Sequence, residues 1–232
     1  MNTQLKMSVP PPYNPNLINQ DITIQLFQHL LRTQGCNGCD LGLQPNLTAP
    51  VVCKGNPNSG RMVIGECPGL QEDLQGIPFI GPAGVKQGEI FASQGWDVLG
   101  DWYWTNVCLC RPFAPLGASK QNLTPTLQHR KACFPYLQYQ IKYINPKLVL
   151  LLGAVATNTL IPETKNKPMR ELAGKTFIST KFPDQVFFCM YHPAALLHTQ
   201  SKRPDEFNKL RIKVWEDVQL LKKLDLELTK FI

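Results

Sequence analysis

The sequence has no run of about 18 consecutive apolar residues, which excludes an ordinary membrane-spanning helix. Its first residues lack the charged-then-apolar order of a secretory signal peptide, so we expect an intracellular, cytoplasmic protein. No internal repeat is visible. In an intracellular chain, eight cysteines do not predict a disulfide framework and indicate metal ligands or buried thiols instead.

The composition is that of a globular protein with a basic balance. The chain has 232 residues, enough for one full α/β domain or two small ones. Hydrophobic residues make up 43% and charged residues 18%, which is ordinary for a globular domain. The formal net charge of +7 and the pI of about 9.0 favour a polyanionic partner, although many basic proteins bind no nucleic acid.

Apolar runs typical of strands alternate with segments of helical periodicity. Residues 1–20 contain four prolines and predict a flexible arm ahead of a single domain, residues 21–232. The alternation predicts a three-layer α/β/α sandwich around a central, mainly parallel four-stranded sheet. The predicted strands are residues 61–64, 102–109, 148–152 and 186–190. The predicted helices are residues 22–33 (capped by Asp21), 85–94, 124–144, 154–160 and about 205–224.

The stretch of residues 61–84, RMVIGECPGLQEDLQGIPFIGPAG, is the most informative part of the chain. A short apolar strand meets Gly65 and continues as a loop rich in glycine and proline, with Glu72, Asp73 and Phe79 inside it. Open α/β sheets place their ligands at the carboxyl ends of such strands, where glycines let backbone N–H groups approach a ligand. The alternative is a long surface turn.

The cysteines offer a candidate metal site. Cys36 and Cys39 form a CxxC pair, which two remote cysteines could complete to a four-thiolate shell for zinc or an iron–sulfur cluster. Cys133 is one such residue. The other is Cys108 or Cys110, since both would share one face of a continuing strand. Buried thiols or a redox CxxC are the alternatives.

Several motifs, taken in order, resemble those of the family 4 uracil-DNA glycosylases, the iron–sulfur branch of the uracil-DNA glycosylase superfamily. Residues 65–84 are similar to that family's GEAPGxxED…G.PF.G.AG motif, residues 105–112 to TNxxKCRPP, and residues 192–197 to HPxxLL. The resemblance covers about residues 30–224. It implies a [4Fe-4S] cluster and chooses Cys110 over Cys108. The implied ligands are Cys36, Cys39, Cys110 and Cys133.

The chain also departs from the family pattern. Cys67 stands where the family keeps a small residue, and Phe113, Ala114 and Pro115 follow Pro112 where the family continues with Asn and Arg. His198 stands where the family commonly has Arg, and the segment between Cys110 and Cys133 is longer than usual. These changes affect expectations of fine specificity and rate more than the expected fold.

The resemblance implies a DNA repair enzyme that flips uracil out of DNA and hydrolyses its N-glycosidic bond, leaving an abasic site. Phe79 would stack on uracil, Asn106 would read the base edge, and His192 would stabilise negative charge at O2. Glu66 and Glu72 are the carboxylates that would orient water or stabilise a cationic sugar. Backbone amides from Gly65 onward, including Cys67, would complete the uracil site. The alternatives are core packing for Phe79, a turn cap for Asn106, and bonds to loop N–H groups for the glutamates.

The implied partner is uracil-containing DNA, bound at the nucleoid by a protein that is a monomer by default. Leu196 and Leu197 would form an apolar wedge where the base leaves the helix, unless they begin a core-facing helix. The candidate phosphate-binding residues are Lys120, His129, Arg130, Lys131, His198, Lys202 and Arg203, which could equally form a solvated face. The rival functions are covalent capture of uracil, disfavoured because residues 113–123 contain no histidine, and non-catalytic DNA binding on the same fold.

Overall fold

The computed structural model describes residues 23–43, 50–112 and 123–230, which contain eight α-helices and six β-strands. The predicted arm of residues 1–20, Asp21 and the loop residues 113–122 lie outside these ranges. The strands are β1 (Lys54–Gly55), β2 (Arg61–Gly65), β3 (Tyr103–Asn106), β4 (Leu148–Leu152), β5 (Thr176–Ser179) and β6 (Phe182–Met190). The helices are α1 (Ile24–Gln34), α2 (Leu70–Gln75), α3 (Pro82–Ala92), α4 (Leu127–Ile144), α5 (Gly153–Leu160), α6 (Met169–Leu172), α7 (Pro193–Lys202) and α8 (Pro204–Thr229).

The strands form one sheet in the order β1-β3-β2-β4-β6-β5. The four inner strands are mutually parallel, whereas β1 and β5 pair antiparallel at the two edges. The predicted α/β class is therefore confirmed, but the sheet has six strands and is mixed, not four-stranded. Short strands were expected within residues 40–60 and 161–180, but the predicted sheet did not include them, because β1 has only two residues and β5 is largely exposed, so neither carries a strong apolar pattern.

Helices cover both faces of the sheet, as the three-layer prediction requires. Val149 and Leu151 of β4 point into one apolar cluster, which they share with α1, α4 and α5. Leu148, Leu150 and Leu152 point into the opposite cluster, with α3, α7 and α8. All five residues of β4 are buried, which is why the strand reads as a continuous apolar run.

Several element boundaries differ from the prediction. Helix α1 begins at Ile24, where the Thr23 hydroxyl accepts a hydrogen bond from the Leu26 N–H at 3.2 Å. Helix α4 begins at Leu127, three residues beyond the predicted start at Thr124, because Thr126 caps it. The predicted strand 102–109 ends at Asn106. The glycine- and proline-rich stretch contains the unpredicted helix α2, and α7 precedes the C-terminal helix α8.

The fold brings the carboxyl ends of β2, β3 and β6 to one edge of the sheet. Gly65 at the end of β2 lies directly beside Asn106 at the end of β3. The chain runs from β2 to β3 on one side and later to β4 on the other, so the strand order reverses next to β2. This reversal creates the crevice in which open α/β sheets bind ligands. Among the described residues, no helix is long and apolar enough to cross a membrane.

Candidate active site

A cavity of about 490 Å³ lies at this edge of the sheet. The segment after β2 supplies Glu66 and Cys67, the end of β3 supplies Asn106, and the residue two beyond β6 is His192. Phe79 reaches the same cavity from the turn before α3. Residues far apart in the sequence thus line one cavity, because the parallel strands end at a common edge.

Phe79 and Asn106 approach each other above Gly65. A Cβ atom at Gly65 would lie 2.5 Å from Asn106 Oδ1 and 2.6 Å from Phe79 Cζ, which is too close for any side chain. Phe79 is 8% exposed and Asn106 only 3%. The glycine at position 65 therefore allows an aromatic ring and an amide to meet in the cavity.

The backbone of Phe79 has an unusual conformation that its neighbours hold. Its φ is 56°, in the left-handed region that non-glycine residues rarely adopt. A Cβ atom at Gly84 would lie 2.3 Å from the Phe79 carbonyl oxygen. The Lys54 ammonium group donates a hydrogen bond to that same oxygen at 2.8 Å and lies 5.1 Å from the ring centroid of Trp104. Lys54 thus tethers the turn that presents the Phe79 ring.

Glu72 connects two parts of the loop through a hydrogen bond to the backbone. Its Oε1 accepts a hydrogen bond from the Gly81 N–H at 2.9 Å, and a Cβ atom at Gly69 would lie 2.7 Å from its Oε2. Because Glu72 belongs to α2, this contact joins the helix to the turn before α3. The geometry therefore matches the alternative stated for Glu72, a bond to a loop N–H group.

Glu66 has a different environment. Burial raises the pKa of the Glu66 carboxyl, whereas a hydrogen bond with Thr124 and the charge of Arg130 act in the opposite direction. A carboxylate with a raised pKa at the wall of a cavity is suited to accept a proton.

His192 is the N-cap of α7. Its Nδ1 accepts a hydrogen bond from the Ala194 N–H at 3.2 Å, so the neutral ring carries its proton on Nε2. Burial lowers the pKa of His192 to about 4, although the charge of Glu72 acts in the opposite direction. Gly153, with φ +86°, leaves space for the ring, since a Cβ atom there would lie 3.1 Å from His192 Cβ. The site therefore holds a neutral imidazole that can donate through Nε2.

The predicted cysteines gather on the α4 side of the sheet. Burial raises the pKa of the Cys110 thiol, and electrostatic repulsion from Cys133, Cys36 and Cys39 raises it further. Within the described ranges, however, no group of three or more His, Cys, Asp or Glu side chains is placed to hold a metal ion. Cys108, not Cys110, forms a hydrogen bond to Cys133.

The donor set nonetheless fits thiolate ligation. The Gly38 N–H donates to Cys36 Sγ at 3.5 Å. Backbone N–H groups of Leu41 and Gly42 donate to the Cys39 sulfur, and the N–H of Leu109 donates to that of Cys133. Hydrogen bonds to sulfur stabilise bound thiolates in iron–sulfur proteins.

The predicted DNA contacts are placed unequally. Leu196 is 6% exposed and packs into the core with α8, so it matches the core-facing alternative, whereas Leu197 is partly exposed and His198 is exposed. His129 Nε2 lies 2.9 Å from Asp40 Oδ1, so this ring has a protein partner. Lys120 lies outside the described residues.

Sequence reasoning did not identify Lys54 or Thr124 as part of this site, and it placed Gly81 in the motif without its contact to Glu72. Lys54 stands in the two-residue strand β1, which has no recognisable pattern, and its contact with Phe79 spans 25 positions. Gly81 and Thr124 each contact a carboxylate whose own importance was predicted, but nothing in the sequence pairs them.

Comparison with known proteins identifies relatives along most of the chain. The family model described as the uracil DNA glycosylase superfamily matches residues 53–219. A type-4 uracil-DNA glycosylase of Thermotoga maritima is 34% identical over 198 residues, covering 82% of this chain and 90% of the relative. Type-4 uracil-DNA glycosylases of Pyrobaculum aerophilum and Archaeoglobus fulgidus are each 32% identical, covering 80% and 75% of this chain. These matches confirm the resemblance seen in the motifs.

Proposed function

The chain belongs to the uracil DNA glycosylase superfamily, and we propose that it is a DNA repair enzyme that removes uracil from DNA by hydrolysing the N-glycosidic bond. The observation that carries this proposal is the meeting of Phe79, Asn106 and His192 in one cavity at the carboxyl edge of the sheet. An aromatic face, an amide and a neutral imidazole are the groups that a flipped uracil requires.

Recognition of the base rests on Phe79 and Asn106. The Phe79 ring supplies a face on which uracil stacks. The amide of Asn106 has both an acceptor and a donor, which match N3–H and O4 of uracil and are mismatched by cytosine. Because Asn106 is almost fully buried, a wrong base would leave its polar atoms unpaired, which is costly.

Cleavage of the bond between C1′ and N1 leaves negative charge on the uracil ring. The Nε2–H of His192 donates a hydrogen bond to O2 as this charge grows, and the ring remains a neutral donor throughout. Glu66 orients a water molecule towards C1′ and accepts its proton, so that the water oxygen replaces the base. Glu72 supports this step indirectly by bracing the loop through Gly81.

We also propose that Cys36, Cys39, Cys110 and Cys133 hold the [4Fe-4S] cluster that the family resemblance implies. The N–H to sulfur bonds and the burial of Cys110 and Cys133 support this assignment. Hydrolysis moves no electrons, so the cluster would supply a structural link between the segment after α1, the segment after β3 and α4. Iron and sulfide analysis with visible absorbance of freshly purified protein tests this, and stoichiometric zinc in place of iron would overturn it.

DNA binding by a monomer completes the proposal. Leu197 and His198 lie on α7, the helix that His192 caps and where the strand would be opened, and Arg130 is near enough for its charge to lower the pKa of Glu66. In this proposal the described residues form a single domain, which acts on the DNA of the nucleoid. Lys120 would add a phosphate contact.

The decisive experiment is an excision assay on single- and double-stranded oligonucleotides that contain one uracil. Wild type is expected to produce abasic sites, His192→Ala to lose at least about a hundredfold in rate, and His29→Ala, at an exposed histidine of α1, to match wild type. Tight binding without abasic product at high protein concentration would instead indicate a non-catalytic module. A uracil–protein adduct that survives denaturation would indicate covalent capture.

A further inference from the structure

A second cavity, of about 510 Å³, lies beside the start of α4 and is basic. Arg130 lines it from α4, Asn158 from α5, and Lys165 and Lys167 from the turn that precedes α6. Three cations and no carboxylate line this groove, which we call the basic groove. None of the family motifs includes the two lysines.

The turn that carries the lysines is held in one shape. The N–H groups of Lys165 and Lys167 donate to the carbonyls of Pro162 and Thr164 at 3.1 and 3.0 Å. Thr164 is fully buried, and its hydroxyl donates to Asn158 Oδ1 at 2.9 Å. A fixed turn loses little conformational entropy when its side chains bind a ligand.

The lysines have no competing partner in the described part of the chain. Both are exposed, and neither takes part in an ion pair there. Their charges are therefore available to an anion that enters the basic groove.

The groove lies close to the candidate active site. Thr124 lines the active-site cavity and Leu127 lines the groove, and three residues of chain span at most about 10 Å. Arg130 links the two, since its charge acts on Glu66 of the active-site cavity.

We propose that the basic groove binds the sugar–phosphate backbone of the uracil-containing strand, at phosphates close to the flipped base. This inference rests on the proposed function. Lys165 and Lys167 neutralise backbone phosphates and read no base edge, so their contribution is independent of sequence. Leu127 and Pro168 provide the apolar part of the wall.

The test is the salt dependence of DNA binding by the double variant Lys165→Ala/Lys167→Ala. Fluorescence anisotropy with an oligonucleotide that carries an abasic-site analogue is measured between 50 and 200 mM salt. Loss of two phosphate contacts is expected to reduce the slope of log affinity against log salt by about 1.4–1.8. The single-turnover excision rate at saturating enzyme is expected to stay within about twofold of wild type.

Lys142→Ala/Lys147→Ala is the matched control. Both of its lysines are exposed, and Lys147 directly precedes β4, at the opposite edge of the sheet. The control is expected to keep the wild-type slope, and Lys165→Arg/Lys167→Arg is expected to restore it. Excision by wild type together with an unchanged slope in the alanine double variant overturns the groove assignment alone. A wild type that neither binds nor excises overturns the proposed function and the groove together.

Discussion

Replacement of Lys54 by methionine tests whether Lys54 holds the turn that presents the Phe79 ring. The variant keeps an unbranched side chain against Trp104 but removes the ammonium group that donates to the Phe79 carbonyl at 2.8 Å. A hydrogen bond from a charged group contributes about 1.5–3 kcal/mol, and a cation–π contact at a partly exposed site about 0.5–1 kcal/mol. Because Lys54 is only half-buried, we expect Lys54→Met to lower the free energy of unfolding by about 2 kcal/mol.

The effect on excision follows from the left-handed backbone of Phe79. That conformation costs a non-glycine residue about 1–2 kcal/mol, which Lys54 no longer offsets in the variant. A change of this size reduces the population of the competent turn by about 5- to 30-fold, and kcat/KM for uracil excision is expected to fall accordingly.

Urea unfolding and steady-state excision measure the two effects. Lys54→Arg keeps a charged donor and is expected to recover most of the activity. Lys86→Met, which removes the exposed partner of Glu89, is expected to change neither quantity appreciably. If Lys54→Met has the same free energy of unfolding and the same kcat/KM as wild type, Lys54 does not hold the turn that presents Phe79.

Three further predictions concern the same cavity and the core behind it. The pKa of His192 is lowered to about 4, so between about pH 6.5 and 4 the unfolded chain binds a proton that the folded chain does not. The free energy of unfolding should therefore fall as the pH drops through this range. His192→Gln should weaken this dependence in denaturation curves. An unchanged pH dependence in that variant would contradict the neutral ring. Gly65→Ala places a methyl group between Asn106 and Phe79 and should reduce excision at least about a hundredfold. Gly88→Ala, whose Cβ atom would meet only Val98 at an ordinary 3.6 Å, should change excision little, and equal losses in the two variants would refute the close approach. Gln87 is fully buried, and its amide has no hydrogen-bond partner among the described residues. Gln87→Leu should therefore raise the free energy of unfolding by about 1–3 kcal/mol, whereas Gln25→Leu, on the exposed face of α1, should not. A lower melting temperature for Gln87→Leu would show that the amide has a partner.

Local sequence patterns were sufficient for the inner sheet and the main residues of the site. The strands β2 and β4 and the last residues of β6 read as apolar runs because they are buried on both faces. Phe79, Asn106 and His192 stand in short motifs at or just beyond strand ends, so their convergence follows from a parallel sheet. The same reasoning missed α2, because six residues between glycines do not establish a period.

Burial and pairing across the chain could not be predicted in this way. The two adjacent leucines of the HPxxLL segment look equivalent in the sequence, yet Leu196 packs into the core and Leu197 is partly exposed. Of the two carboxylates, Glu72 bonds to the loop, whereas Glu66 faces Thr124 and Arg130. Only the packing of α2 and α4 against the strand ends decides these roles.

The α/β class, the superfamily and the ring, amide and imidazole of the candidate site could be predicted before the fold was known, since each is encoded within a few neighbouring residues. The contacts that hold these groups emerge only in the folded chain: the Lys54 ammonium group bonds to the Phe79 carbonyl, and Gly65 leaves space for the ring. The basic groove beside Arg130 is likewise a product of the fold. These contacts join residues tens of positions apart, and no local period reports them. They exist only because the sheet brings its strand ends and the starts of its helices to one edge.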